Sequence, residues 1–206
     1  AERCANDALL IVGQQSLKLE FSGNEIPLSK ENFSWIEGKY VTAKYSSGNC
    51  FSCEGVHVVY FENGKLIKLG QFRSIKDGYL IKPFTNLEVN SITTHANSPR
   101  WDLYFDNNQG ELKLNLKKTC IMLRDDYHAE KTAFVKAFSV NTKPSTDESI
   151  EELRRIALST LAMAKFCGDQ DYDGLLETIT QDGSPLVEDN AKKLQEELRK
   201  VPYAAR

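Results

Sequence analysis

Apolar and polar residues alternate along much of the first two thirds of the chain. SLKLEF, residues 16–21, switches between the two at nearly every step. WDLYFD puts Trp101, Leu103 and Phe105 on one side of an extended backbone and Asp102, Tyr104 and Asp106 on the other. ELKLNLKK sends Leu112, Leu114 and Leu116 toward a core and Lys113, Asn115 and Lys117 toward water. A period of two is the pattern of a strand with one covered face, because successive side chains leave opposite sides of the pleat.

Five apolar runs open on a polar residue and a glycine: Glu37-Gly38 before KYVTAKY, Glu54-Gly55 before VHVVYF, Asn63-Gly64 before KLIKLG, Asp77-Gly78 before YLIKPF and Gln109-Gly110 before ELKLNL. Glycine reaches φ > 0 at no steric cost, and Asn-Gly and Asp-Gly favour the two-residue turns that join antiparallel strands. NGKLIKLG and DGYLIKPF therefore predict neighbouring hairpins with equivalent turns. Their spacing drifts too much for a solenoid, which leaves an antiparallel meander closing into a sandwich or barrel.

After CIMLR a polar break, DDYHAEK, precedes one more expected strand, TAFVKAFSV. NTKPSTDE marks a boundary: proline blocks continuation, and Ser145 with Glu148 has the capping-box spacing that opens a helix. Ile150, Leu153, Ala157, Leu161 and Ala164 give that helix one buried face. DYDGLLETIT starts a second helix with carboxylates suited to a helix N-terminus. Ser184-Pro185 opens a third, with Val187, Ala191, Leu194, Leu198 and Val201 in one stripe. The fold class is thus α+β: a β-rich domain over residues 1–143, then a helical segment of two to three helices over 144–206.

Composition narrows the function classes. Hydrophobic residues make up 41% and charged residues 27% of the 206, which is enough apolar surface for a true core. The net charge of −3 offers no general field for nucleic acid or an anionic membrane. Residues 146–206 carry 13 acidic and 8 basic side chains, so the deficit sits in the helical part. Apolar runs such as Ala8 to Val12 fall far short of the roughly 20 residues of a membrane-spanning helix. The start at AERC, without a basic-then-apolar leader, and the five cysteines together point to an exported protein, periplasmic or extracellular.

Cys50 and Cys53 pose the sharpest chemical question, because C-x-x-C serves redox enzymes, zinc sites and staples alike. A reactive dithiol needs a helix N-terminus to stabilise its thiolate, whereas KYVTAKY and GVHVVYF flank this pair as strands. Zinc would need two further ligands; His57 lies in an alternating strand and no second C-x-x-C exists. A local disulfide or two structural thiols at a hairpin tip is the expectation. Cys4, Cys120 and Cys167 complete an odd set that allows fifteen frameworks with two bridges, and a bridge from Cys4 to Cys120 or Cys167 would tie down the N-terminus.

DQDYDG sets Asp169, Asp171, Asp173 and Gly174 at the opening positions of a calcium loop, but the twelfth position is Thr180 instead of glutamate, so it reads as a helix start. No nucleophile motif accompanies His57, His95 or His128. Asn32-Phe33-Ser34 matches a glycosylation sequon of low specificity. Trp35, Trp101 and Tyr104 are strand aromatics that suit core packing, and Trp101 with Tyr104 form the candidate recognition surface.

The expected function is a non-catalytic binding module, without cofactor or metal, whose partner is another protein, of the inhibitor or immunity type found in cell envelopes. The alternatives are a thiol-disulfide oxidoreductase using Cys50 and Cys53, and a β-barrel carrier of a small apolar or carbohydrate ligand. Oligomeric state is not legible in the sequence.

Overall fold

The computed structural model describes residues 6–21, 33–46, 54–84, 99–139, 146–181, 184, 186 and 188–201. Ten strands are followed by four helices, a mixed α+β chain. The strands are β1 (Asn6–Val12), β2 (Gln15–Phe21), β3 (Phe33–Ile36), β4 (Tyr40–Ser46), β5 (Glu54–Glu62), β6 (Lys65–Phe72), β7 (Ser74–Lys76), β8 (Tyr79–Phe84), β9 (Trp101–Asn108) and β10 (Glu111–Leu114). They form a β1-β2 hairpin and two four-stranded sheets, β3-β4-β5-β6 and β10-β9-β8-β7. Within each sheet, neighbours in sequence are neighbours in space, as a meander requires.

Four of the five polar-glycine pairs are turns. Glu37, Asn63, Asp77 and Gln109, and the glycine after each, all take φ between 51° and 95°, the mirror-image turn whose twist matches that of the flanking strands. At Gly110 a methyl group would also meet Ile67 Cδ1 at 2.7 Å. Glu54-Gly55 is different: it lies inside β5, paired with Ser46 and Tyr45.

The chain divides into two compact units: residues 1–83 with 103–115, and residues 84–102 with 116–206. In the strand unit, β4 and β5 are covered on both faces. Tyr40, Val58, Tyr60 and Phe72 meet Leu80 with Ile75, Phe105 and Leu112 on one side. Val41, Ala43 and Val59 meet Leu19 with Leu10 and Leu17 of the hairpin on the other. Two-sided burial explains why VHVVYF is almost continuously apolar. Asn107 Nδ2 donates to the Tyr40 hydroxyl at 3.2 Å across the sheet-to-sheet core.

The helices are α1 (Leu116–Phe138), α2 (Asp147–Cys167), α3 (Tyr172–Thr180) and α4 (Glu188–Arg199), one more than the two to three expected. The addition is α1. DDYHAEK, expected as a polar break, lies inside it, and TAFVKAF, expected as strand, is its C-terminal half. The alternation of ELKLNLKK likewise stops at Leu114, and Leu116 starts the helix. The α2 capping box sits one residue later than predicted: Thr146 Oγ1 accepts from the Ser149 backbone N–H, and the Ser149 hydroxyl caps the Thr146 N–H.

The expected α2 face is buried at Ala157, Leu161 and Ala164, but every residue from Ile156 to Ala164 is covered. Small side chains at Ala157, Ser159, Thr160, Ala162 and Ala164 let α2 serve as the central helix, touched by α1, α3 and α4. Phe84, Trp101 and Phe166 close this core, with the Phe84 and Trp101 rings stacked at 4.5 Å. The α4 stripe is buried as expected at Ala191, Leu194, Leu198 and Val201, while Val187 lies outside the described residues.

Candidate functional site

The site is built on α1, a helix with two unlike sides. Thr119, Leu123, Phe134 and Phe138 are buried, with half-covered Tyr127 and Glu130 completing the same row at spacings of three and four. On the opposite side Ile121, His128 and Val135 recur every seven residues, a repeat that drifts only about 20° per step around the helix. Six large apolar side chains stand well exposed among the described residues, and three are here: Ile121 at 55%, Met122 at 47% and Val135 at 53%. His128, Lys131, Thr132, Val135 and Lys136 line an open groove of about 410 Å³ along this side. Val135 is its large apolar side chain, and of its two lysines Lys131 is paired with Asp169 and Asp171.

Three ties hold α1 so that this side faces out. Near the N-terminus, Cys120 is bonded to Cys167 at the end of α2, with 5.7 Å between their Cα atoms. In the middle, Arg155 of α2 donates from Nη1 to Glu130 Oε1 at 2.7 Å while its Nε and Nη2 grip Glu152 at 2.9 and 3.0 Å. On either side of Glu130, the Tyr127 hydroxyl donates to Asp169 Oδ2, and Lys131 Nζ reaches Asp171 Oδ2 at 2.8 Å and Asp169 Oδ2 at 3.3 Å.

The electrostatics follow from that geometry. Burial and then the hydrogen bond to Asp169 raise the Tyr127 phenol above its usual range, so it stays protonated and donates. Burial opposes the charge on Lys131, but hydrogen bonds to Asp171, Tyr127 and Asp169 outweigh it and hold the ammonium above the usual lysine range. Burial likewise opposes the Asp169 charge, and donors from Tyr127, the Asp171 backbone and Lys131 pull its carboxyl below the usual range. Asp169 and Asp171 thus neutralise a lysine where the sequence had the opening of a calcium loop. No group of three or more metal-ligating side chains gathers among the described residues.

The remaining sequence candidates are scattered. Cys120 and Cys167 take each other, one of the pairings the sequence left open, and this leaves neither for Cys4. Cys4, Cys50 and Cys53 lie outside the described residues, as do His95 and Asn32. The flanks of Cys50 and Cys53 are strands, β4 and β5, paired antiparallel from Tyr40↔Tyr60 to Ser46↔Glu54. Trp101 and Tyr104 are not surface rings: both are buried, Trp101 against Phe84 and Phe166, and Tyr104, placed on the water side by alternation, against Tyr79. His57 is buried in β5, where Gln71 Nε2 donates to its Nε2 at 3.3 Å, and burial lowers its pKa.

Sequence reasoning missed α1 itself. The signal was present in Leu123, Tyr127, Phe134 and Phe138, whose spacings fit one helical face. No described helix is long and apolar enough to cross a membrane. No family model, no curated protein and no solved structure matches the chain.

Proposed function

We propose that the chain is an exported, non-catalytic binding module that captures another protein, of the inhibitor or immunity type, on the outward side of α1. The observation that carries this reading is the exposed Ile121, Met122 and Val135 beside an open groove on a helix tied at three points. A helix face that only met water would carry polar residues there. The fitting partner presents apolar side chains to Val135 and Ile121 and a carboxylate to Lys136. The Cys120–Cys167 bond is compatible with the oxidising compartment such a module would occupy.

The test is recovery of a stoichiometric partner from the envelope or secreted fraction of the source, with Ile121→Asp and Val135→Asp chains in parallel. The native chain is expected to retain the partner and both variants to lose it. Equal recovery by all three would refute the surface, and detection of the protein only in the cytosol would refute export.

A further inference from the structure

A second surface lies in the strand unit, and it does not depend on the reading of α1. β1 is an edge strand: it pairs with β2 from Asn6↔Phe21 to Val12↔Gln15 and with no other described strand. β2 runs along β6, so β1 is the outlying member of the hairpin. Leu10 faces the covered core of Leu19, Val41, Ala43 and Val59, while Leu9 and Ile11 point away from it and are 63% and 64% exposed. Opposite them across the hairpin stand Lys18 and Ser16, the polar residues expected of a face turned to water.

The other described sheet edges are blunted and β1 is not. β7 has three residues and ends on Lys76. β10 has four, including Glu111 and Lys113, and β3 has four. β6 carries Lys65 and Lys68 and a register irregularity opposite Val58 and Val59. β2 has Lys18. Charge, shortness and bulges are the devices that stop a sheet edge from recruiting another strand. β1 instead offers five consecutive apolar residues, Ala8-Leu9-Leu10-Ile11-Val12.

That run also selects its occupant. Antiparallel pairing of β1 with a copy of itself about a two-fold axis at Leu10 sets Leu9 opposite Ile11 twice, Ala8 opposite Val12 twice and Leu10 opposite Leu10. Every position in the run then meets an apolar one, and Asp7 falls opposite Gly13, so no like charges meet. Moving the axis to Leu9 would set Ile11 against Asp7 twice and Val12 against Asn6 twice, four mismatches. Cross-strand apolar pairs and main-chain hydrogen bonds are what stabilise and register an added strand. The outward surface would be an apolar centre of Leu9 and Ile11 from both copies, rimmed by Lys18 and Ser16, the arrangement of a protein interface.

We infer that β1 joins β1 of a second copy of this chain, making a continuous four-stranded sheet β2-β1-β1-β2 across a symmetric dimer. Light scattering on the full chain should give twice the 23.3 kDa protomer mass, falling to the protomer mass on dilution. Ile11→Lys, an exposed position, should leave thermal unfolding cooperative and weaken the dimer by about tenfold or more. Amide hydrogen exchange supplies a readout that needs no variant: protection of residues 8–12 should rise with protein concentration while that of β8 stays constant. The inference is overturned if the native chain remains monomeric at about 100 μM, if a folded Ile11→Lys chain dimerises as the native one does, or if β1 exchange is independent of concentration.

Discussion

The two units solve the same problem, holding elements in register, by different means. In the strand unit, four pairings (β3-β4, β5-β6, β7-β8 and β9-β10) are joined by turns as short as two residues, and φ > 0 at Glu37, Asn63, Asp77 and Gln109 fixes these four locally. In the helical unit, residues 139–146 separate α1 from α2, a connection too long to dictate how one helix slides on the other. There the register is set by side chains distant in sequence: Cys120 with Cys167, Glu130 with Arg155, and Tyr127 and Lys131 with Asp169 and Asp171. Short connections make register a property of the backbone, and long ones hand it to specific side-chain chemistry.

The two tryptophans separate the units experimentally, since Trp35 belongs to the strand unit and Trp101 to the helical one. The largest expected effect is on the helical side. Replacing Cys120 and Cys167 by serine reopens a 47-residue loop, and chain entropy puts the loss at about 4 kcal/mol. In urea titrations of single-tryptophan chains, the Trp101 signal should fall early while the Trp35 signal moves less. Equal shifts would mean the bridge is not a local device. Next comes Leu161→Ala, which removes a fully buried α2 side chain and should cost about 3 kcal/mol by the same Trp101 readout.

Turn geometry should matter next. Gly110→Ala meets both a φ of +95° and the Ile67 side chain, and should destabilise by about 2 kcal/mol. Gly64→Ala, with φ of +75° and open space around it, should cost about 1 kcal/mol. Equal losses at the two turns, measured by chemical denaturation of the Trp35-only chain, would show that the Ile67 contact is relieved without cost.

Acid should weaken the units in sequence. Burial, then Lys68, lowers the His57 pKa from its ordinary 6.5, so the unfolded imidazole takes up a proton that the folded one refuses. The strand unit's stability is therefore complete above about pH 6.5 and declines as pH falls below it. The folded Asp169 carboxyl lies below its ordinary 3.8, so its contribution is complete above that value and is lost as pH falls through the lower folded pKa. Lys131 lies above its ordinary 10.5, so its contribution is complete below that value and is lost as pH rises through the higher one. Denaturation midpoints at pH 7.5 and 5 should differ for Trp35 and coincide for Trp101. His57→Leu should remove the difference, and its persistence would place the titrating group elsewhere. The smallest effect is Ile121→Asp, whose stability should stay within about 0.5 kcal/mol of native by calorimetry, because the side chain projects from the outer face.

The strands were legible because half-covered extended backbone writes itself as alternation, and because Asn63-Gly64 and Asp77-Gly78 name their own turns. Alternation misled where both faces are packed: it gave Tyr104 to water, yet that ring lies against Tyr79. The signal for α1 in Leu123, Tyr127, Phe134 and Phe138 was masked for a related reason. Its covered row includes Thr119 and Glu130, and its outward row includes Ile121, Met122 and Val135, so hydropathy is blurred around the helix and the 3.6-residue period fades. The strand-like spacing of ELKLNL then carried the eye past the change at Asn115. The Cys120–Cys167 pairing was one of several that composition allowed, since only three-dimensional proximity chooses among five thiols. The α1 surface could not have been read before the helix was known.

Because the chain leaves the strand unit after Pro83, re-enters it at Leu103 and leaves again after Asn115, no single cut dissects the molecule. A fragment ending at Asn115 would carry off Phe84 and Trp101 and strip Phe166 of both aromatic neighbours. A nascent chain halted at that point would likewise lack Phe166, the ring that meets both Phe84 and Trp101, so this aromatic cluster closes only once α2 has been made.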